Sequence, residues 1–392
     1  MRILYIGSFR LPNLDAAAAR VLNIARALRK AGHDVSFISW GGMQREEDLC
    51  EDGLWRIDGF PYIVTHELPQ SRLSIFEQLG NKIQRGKKTK RLLNEWSESI
   101  DVIITYNSSI CKWLIPFCEK RCIKLINDIT EWYSYRELKP TDWLGYAYDM
   151  YFRQKKVKNK IVISSYLDRF YNTMHNIVIP ATCDASEAKW IDNHEYANSI
   201  IAPFNGITLI YAGNPARKDL VHNVINAVQR LATEGASIRF LFIGTTRHRY
   251  LSTYGSMLRT RNLHNNIHFI EKVSQDMIPS FYHHADFMVF LREDNRKSNA
   301  GFPTKFSEAM IAGTPIIANL TSDIGDYLFD GKTGFVVNSP SEESIYLTLK
   351  DKVMYLTRKQ IIEMKLNVHQ IAKQLDYHAY VEALRVFMDE LK

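Results

Sequence analysis

The residues best placed to do chemistry run from Asn299 through Ala300, Gly301, Phe302, Pro303, Thr304, Lys305, Phe306 and Ser307 to Glu308, followed by Ala309-Met310-Ile311-Ala312-Gly313-Thr314-Pro315. The apolar run Phe287–Phe290 ahead of them reads as a strand, and Pro303 suits the first turn of a helix. The N–H groups of such a turn point at an anion, and glycine at 301 lets the backbone approach a ligand closely. Lys305 and Glu308 are three residues apart, on one side of that helix. Lysine can meet a phosphate there while glutamate accepts hydrogen bonds from ribose hydroxyls. Asn299, Gly301, Phe302 and Thr304 complete the candidate binding loop. A plain helix with a surface Lys–Glu ion pair accounts for Lys305 and Glu308 equally well.

A second cluster, Gly213-Asn214-Pro215-Ala216-Arg217-Lys218, follows the apolar run Thr208–Ala212. A basic pair at a helix start is electrostatically unfavourable, and a bound anion removes the penalty. Arg217 and Lys218 therefore suit a diphosphate, and can stabilise the charge that builds on it as it leaves. The plain alternative is an exposed basic pair. Lys218 and Lys305 are the candidate catalytic cations. In the first half, Asn127-Asp128-Ile129-Thr130-Glu131 follows the run Ile123–Ile126. Asp128 or Glu131 can bind a second substrate or take its proton, with Gly7 lining the same side. Either carboxylate fits a helix cap as well. Neither Asp-x-Asp nor another metal motif stands at a strand end, so no metal is expected.

These loops need a scaffold, and the sequence supplies the pattern for one. Short apolar runs alternate with helical stripes, the signature of parallel sheets covered on both faces. Strands are expected at Ile3–Ile6, Val35–Ile38, Val102–Thr105, Ile123–Ile126, Ile161–Ser164 and Ile177–Ile179. A second series follows at Thr208–Ala212, Phe240–Ile243, Ile267–Ile270, Phe287–Phe290 and Pro315–Ala318. Asp15 is expected to cap the helix carrying Val21, Ile24, Ala25 and Leu28. The plan is α/β: two doubly wound, Rossmann-like domains, residues 1–182 and 206–375, with 183–205 as linker. Ligands of such sheets sit beyond the carboxyl ends of the strands, where all the loops above fall. The amphipathic segment Tyr380–Leu391 is expected to return to the first domain with Val381, Leu384, Phe387 and Met388 on one face.

At 392 residues the chain is too long for one ordinary core. Hydrophobic residues make up 46% and charged residues 24%, which excludes a disordered chain. No run approaches the ~20 apolar residues of a membrane span. Five cysteines (Cys50, Cys111, Cys118, Cys122, Cys183) fit a reducing, cytoplasmic compartment, with Cys118 and Cys122 as buried structural thiols. The net charge of +7 suits an anionic substrate or membrane surface and is too diffuse to argue for nucleic acid. Two basic stretches stand out: Lys82, Arg85, Lys87, Lys88, Lys90, Arg91, and then Arg153, Lys155, Lys156, Lys158, Lys160. The second follows an aromatic run holding Trp132, Tyr133, Tyr135, Trp143, Tyr146, Tyr148, Tyr151 and Phe152. Such a combination suits an anionic lipid surface, and solvated helix faces fit it equally. Gly7 is followed by Ser8-Phe9-Arg10, so the glycine fingerprint of a nicotinamide oxidoreductase is absent.

Glu308-Ala309-Met310, Ala312-Gly313-Thr314-Pro315, Ile316-Ile317-Ala318 and Asp330-Gly331-Lys332-Thr333-Gly334 together resemble the donor-binding region of retaining GT-B glycosyltransferases, family four (glycosyl transferases group 1). Met1–Gly42, Ser164–Leu167, Pro180–Asp184 and Tyr211–Asp219 extend the resemblance over nearly the whole chain. It implies the GT-B fold and transfer, with retention, of a sugar from a nucleoside diphosphate held in the second domain. The first domain would take a saccharide or lipid-linked saccharide acceptor, the active site would lie in the cleft between the domains, and the setting would be cell-surface polysaccharide synthesis. The enzyme would be cytoplasmic or peripheral at the inner face of the membrane. The family usually carries a second glutamate eight positions before the one matched by Glu308, where Ala300 stands here. Pro303-Thr304-Lys305-Phe306-Ser307-Glu308 matches the family's Pro-x-Lys-x-x-Glu form. A catalytically silent sugar-nucleotide-binding protein on the same scaffold is the alternative that Ala300 raises.

Overall fold

The computed structural model describes residues 1–12, 15–65, 75–107, 111–132, 140–191, 194–215 and 218–392. It divides into two compact units, Met1–Thr182 with Tyr377–Lys392, and Cys183–Asp376.

The first unit carries an eight-stranded sheet of β1 (Arg2–Gly7), β2 (Asp34–Ser39), β3 (Arg56–Ile57), β4 (Phe60–Val64), β5 (Val102–Tyr106), β6 (Lys124–Ile129), β7 (Asn159–Val162) and β8 (His175–Val178). Its order is β3-β4-β2-β1-β5-β6-β7-β8, parallel except for the β3–β4 hairpin. Strands buried on both faces read as continuous apolar runs, and β1 is such a run. Helix Ala16–Lys30 follows β1, capped by Asp15, whose carboxylate accepts from the Ala18 N–H at 2.8 Å. Val21, Ile24, Ala25 and Leu28 turn into a core with Tyr5, Phe37 and Ile104. Leu384, Phe387 and Met388 of the last helix, Val381–Asp389, complete that core. The helix is pinned to β8, where the ring of His175 stacks on Phe387 at 4.3 Å. The chain end is tied to β7 through Asn159, which donates to the Lys392 carbonyl at 3.0 Å.

The second unit carries a six-stranded parallel sheet, β9 (Ile207–Ala212), β10 (Ile238–Ile243), β11 (Ile267–Ile270), β12 (Phe287–Phe290), β13 (Ile316–Ala318) and β14 (Gly334–Val336), in the order β11-β10-β9-β12-β13-β14. Helix Val221–Thr233 packs on β10 to β12 and Ile278–His284 on β9. The strand order reverses between β9 and β12, so the crevice that ligands use lies beyond the ends of those two strands.

Three differences from the sequence reading concern elements. The hairpin β3–β4 and the edge strand β14 were not anticipated. Residues 183–205, expected as a linker, hold helix His194–Ile200, which docks on Ile278–His284 through the Ala197 N–H and the Ser280 hydroxyl at 3.1 Å. Cys118 is buried, but Cys122 is exposed, in the turn after helix Cys111–Arg121 with φ of 56°.

Candidate active site

At the reversal point of the second sheet, β9 is followed directly by Gly213 with φ of +113°, a conformation that L side chains rarely adopt. A Cβ there would stand 3.9 Å from Lys305 Nζ, so this turn and the lysine share one space. Lys305 lies in the first turn of helix Thr304–Ile311, whose N-cap, Pro303, has no side-chain cap bond. Its ammonium donates to Asp219 at 2.5 Å and to the Tyr211 hydroxyl at 2.5 Å. Asp219 also accepts from Arg292 Nε at 2.7 Å and from the Tyr211 hydroxyl at 2.7 Å. Asn319 locks Arg292 in turn, accepting from its N–H at 2.9 Å and donating to its carbonyl at 2.8 Å.

This is a buried network of two cations on one carboxylate. Burial alone would raise the Asp219 pKa, but Lys305 and Arg292 outweigh it and hold the carboxyl well below its usual range. Burial depresses the Lys305 ammonium, and Asp219 opposes that shift. Two positive charges against one negative leave a surplus of one beside the Gly213 turn. A bound anion would answer it.

Glu308 stands one helical turn beyond Lys305 and is half-buried. Lys305 pairs with Asp219 instead, which removes the plain Lys–Glu ion pair. The Glu308 carboxylate has no hydrogen-bond partner among the described residues. Burial pushes its pKa up, against the pull of Lys189 and Lys305. The Tyr282 hydroxyl, which feels the Glu308 charge, is buried and has no hydrogen-bond partner among the described residues. Unmatched polar groups of this kind are what a ligand with hydroxyls would satisfy.

The other donor-side candidates divide. Asn214 and Lys218 are exposed. Arg217 lies outside the described residues. Helix Val221–Thr233 begins three residues after Lys218, so this lysine is not in its first turn and the expected electrostatic penalty does not apply. Asn299 and Ala300 belong to a short helix, Arg296–Ala300, where a loop was expected. The Asn299 amide donates to Asp294 at 2.7 Å and accepts from the Ser322 N–H at 2.8 Å, tying this helix to the loop after β13. The Gly301 N–H is taken by the Lys297 carbonyl at 3.3 Å and is not open to a phosphate. Phe302 is buried edge-on against Phe306 and Tyr327, so it is core and no sugar contact. Thr304 is half-buried at the helix start. Ala300 is fully buried.

In the first unit the reading of Asp128 is corrected. Its side chain is 0% exposed. Arg20 grips it through Nε at 3.1 Å and an η-nitrogen at 2.8 Å, and the Tyr5 hydroxyl donates at 2.5 Å. Arg20 also donates to the carbonyls of Ile179 and Pro180, at 2.8 and 3.0 Å. A carboxylate so enclosed neither meets an acceptor nor takes its proton; it fastens the helix after β1 to the end of β6 and to the segment after β8. Gly7 is buried too, and a Cβ there would stand 2.7 Å from that of Tyr106, so it allows β1 and β5 to close. Glu131 is half-buried just past β6. Among the described residues no group of three or more His, Cys, Asp or Glu side chains is arranged to hold a metal ion.

Sequence reasoning missed Tyr211, Asp219 and Arg292. The signal was faint: Asp219 directly follows Lys218, at the carboxyl side of β9, as Arg292 follows β12.

Residues 194–373 match the model of the family described as Glycosyl transferases group 1. The second unit therefore carries a group 1 glycosyltransferase domain. The matched stretch contains the Gly213 turn, the Asp219 network and Glu308. Sucrose-phosphate synthase from Thermosynechococcus elongatus has a similar structure, with a TM-score of 0.73 at 13% identity over 99% of this chain and 98% of that one. Anabaena HepE in complex with UDP and glucose is similar at a TM-score of 0.68 and 14% identity, over 100% of both chains. The pneumococcal O-GlcNAc transferase GtfA in complex with UDP and GlcNAc gives 0.65 and 12% identity, over 100% of this chain and 99% of that one. At such identities the likeness is one of fold, and the fold is GT-B. No curated protein sequence matches the chain.

Proposed function

We propose that this chain transfers a hexose or similar sugar from a nucleoside diphosphate to a hydroxyl of a glycan or lipid-linked saccharide, with retention at the anomeric carbon, in cell-surface polysaccharide synthesis. The observation that carries the donor half of this reading is the buried Asp219 network, which brings the positive surplus of Lys305 and Arg292 beside the Gly213 turn, with the Glu308 carboxylate, which has no hydrogen-bond partner among the described residues, one helical turn away. In this reading Lys305 and the exposed Lys218, with Arg217, meet the diphosphate and stabilise its charge as the glycosidic bond breaks. Glu308 accepts from two ribose hydroxyls. No metal is required for that charge balance. HepE and GtfA hold UDP in their structures, which makes a uridine nucleotide the first donor to try. Glu131 stands as the acceptor-side candidate of the first unit. The protein acts on the cytoplasmic side, at the membrane surface where a lipid-linked acceptor is presented.

Calorimetric titration of UDP, GDP and ADP into the wild type and Glu308→Gln tests the donor site. One nucleotide should bind, and the variant should lose about tenfold in affinity, since a buried hydroxyl left without its partner costs ~1–3 kcal/mol. Equal affinity for both proteins sinks the ribose assignment. Ala300, fully buried where the family usually has a carboxylate, favours one second reading: a sugar-nucleotide-binding protein without turnover. Donor binding with no transfer to any lipid-linked saccharide would decide for that.

A further inference from the structure

Helix Pro140–Tyr148 continues through a wider turn, Asp149–Arg153, into Gln154–Lys156. Leu144, Tyr148 and Phe152 recur every fourth residue along it and so share one side. They stand in water, 71%, 52% and 62% exposed, with the rings of Tyr148 and Phe152 stacked at 5.5 Å. Trp143 and Tyr151 are exposed beside them. Large apolar side chains massed on one surface mark an interaction site.

The stripe adjoins a basin of charge. Tyr151 packs edge-on against Phe170 at 5.6 Å, and Lys155 Nζ lies over the same ring at 5.2 Å. There a cavity of about 750 Å³ opens, lined by Lys155, Lys156, Lys158 and Arg169, together with Met174, which is 78% exposed. None of these four cations pairs with a carboxylate among the described residues. Arg153 does, with Asp149 at 3.0 Å, and Lys160 is buried, so neither belongs to the charged face.

We propose that this face docks on an anionic lipid bilayer, with Leu144, Tyr148 and Phe152 entering the headgroup layer and Lys155, Lys156, Lys158 and Arg169 taking lipid phosphates. A soluble anion would fill the basin and leave the apolar stripe in water. A bilayer is negative at its surface and apolar just beneath, which meets both features side by side. The docking rests on the reading above that the acceptor is carried on lipid, and it names the surface of the first unit that meets that lipid.

The test is co-sedimentation of the full chain with vesicles of phosphatidylcholine, alone or with about one-third phosphatidylglycerol. The wild type should be retained on the anionic vesicles at low salt and released as salt rises past the physiological range. Changing Lys155, Lys156 and Lys158 together to Ala should weaken retention on the order of 100-fold, about fivefold per cation. Leu144→Ser with Phe152→Ser should weaken it about tenfold or more. Both variants alter exposed side chains and should melt as the wild type does. Brominated acyl chains should quench Trp143, and the quenching should vanish in Trp143→Phe. Equal partitioning onto neutral and anionic vesicles overturns the proposal, as does full retention of the double serine variant or absence of quenching. Displacement by inorganic phosphate at matched ionic strength would give the basin to a soluble anion and overturn it as well. Retention is measured without donor or acceptor, so its failure leaves the glycosyl-transfer reading standing.

Discussion

Lys305 and Lys218 are both basic residues near the Gly213 turn, and their surroundings separate them. Lys305 is a partner of buried Asp219, so Lys305→Ala withdraws one of two cations from a buried carboxylate. Breaking such a pair from one side costs roughly 3–5 kcal/mol, and the remaining Arg292 places this case near the lower end. Asp219 has a depressed pKa in the folded chain, so its contribution is complete above its ordinary value of 3.8 and is lost as pH falls below that. Urea unfolding should therefore show a wide gap between wild type and Lys305→Ala at neutral pH and a narrower one near pH 3. A gap that does not narrow sinks the ion-pair account. Lys218 is exposed and bonded to nothing described, so Lys218→Ala should leave stability within about 0.5 kcal/mol and still slow turnover by weakening the grip on the diphosphate. Unchanged kinetics would return Lys218 to ordinary surface charge. The motif around Pro303 singles out Lys305 and Glu308 as candidates from sequence alone. It could not reveal Asp219 or Arg292, because those contacts join residues 86 and 73 positions apart, across neighbouring strands. Asp128 was misread for the same reason: Arg20, which encloses it, is 108 residues away.

At the scale of elements, the apolar runs identify most of the strands, because a buried parallel strand must be apolar throughout. The two stretches that escaped have visible causes. β4 begins Phe60-Pro61, and proline argues against a strand, yet Pro61 faces Arg56 at the hairpin edge, where a missing donor is tolerated. β14 is three residues long and opens with glycine. Gly334 has φ of +146°, and a Cβ there would stand 1.8 Å from the Ile316 carbonyl oxygen of β13. Backbone cannot yield as a side-chain tip does, so Gly334→Ala should cost roughly 3 kcal/mol or more and loosen the β13–β14 pairing. Thermal unfolding measures the loss, and a melting temperature near wild type would mean that the edge strand can slide away without consequence. Residues 183–205 read as a linker in sequence because helix His194–Ile200 is only seven residues long and shows little period of its own; Ala197 is buried by tertiary packing.

For the molecule as a whole, the apolar stripe of Tyr380–Leu391 was legible as a face needing a partner, and the partner is the core that Tyr5 and Val21 begin. Leu384→Ala should then cost ~2–5 kcal/mol and raise hydrogen exchange in β1 and helix Ala16–Lys30, while leaving β9 to β12 as they were. A nucleoside diphosphate at 100 times its dissociation constant should do the reverse, adding ~2.7 kcal/mol of protection within the second unit. Exchange that rises uniformly across the chain in Leu384→Ala would refute separate cores. The return of the last helix also sets an order of assembly on the ribosome. The first unit is begun first, but its core stays open until residues 377–392 have emerged, after the continuous second unit has been made in full. At ~5–20 residues per second, that leaves a hydrophobic core with one side uncovered on the order of 10–40 s. During that interval the nascent first unit, with the side of its core meant for Leu384, Phe387 and Met388 uncovered, is the part of the protein for which chaperones would compete.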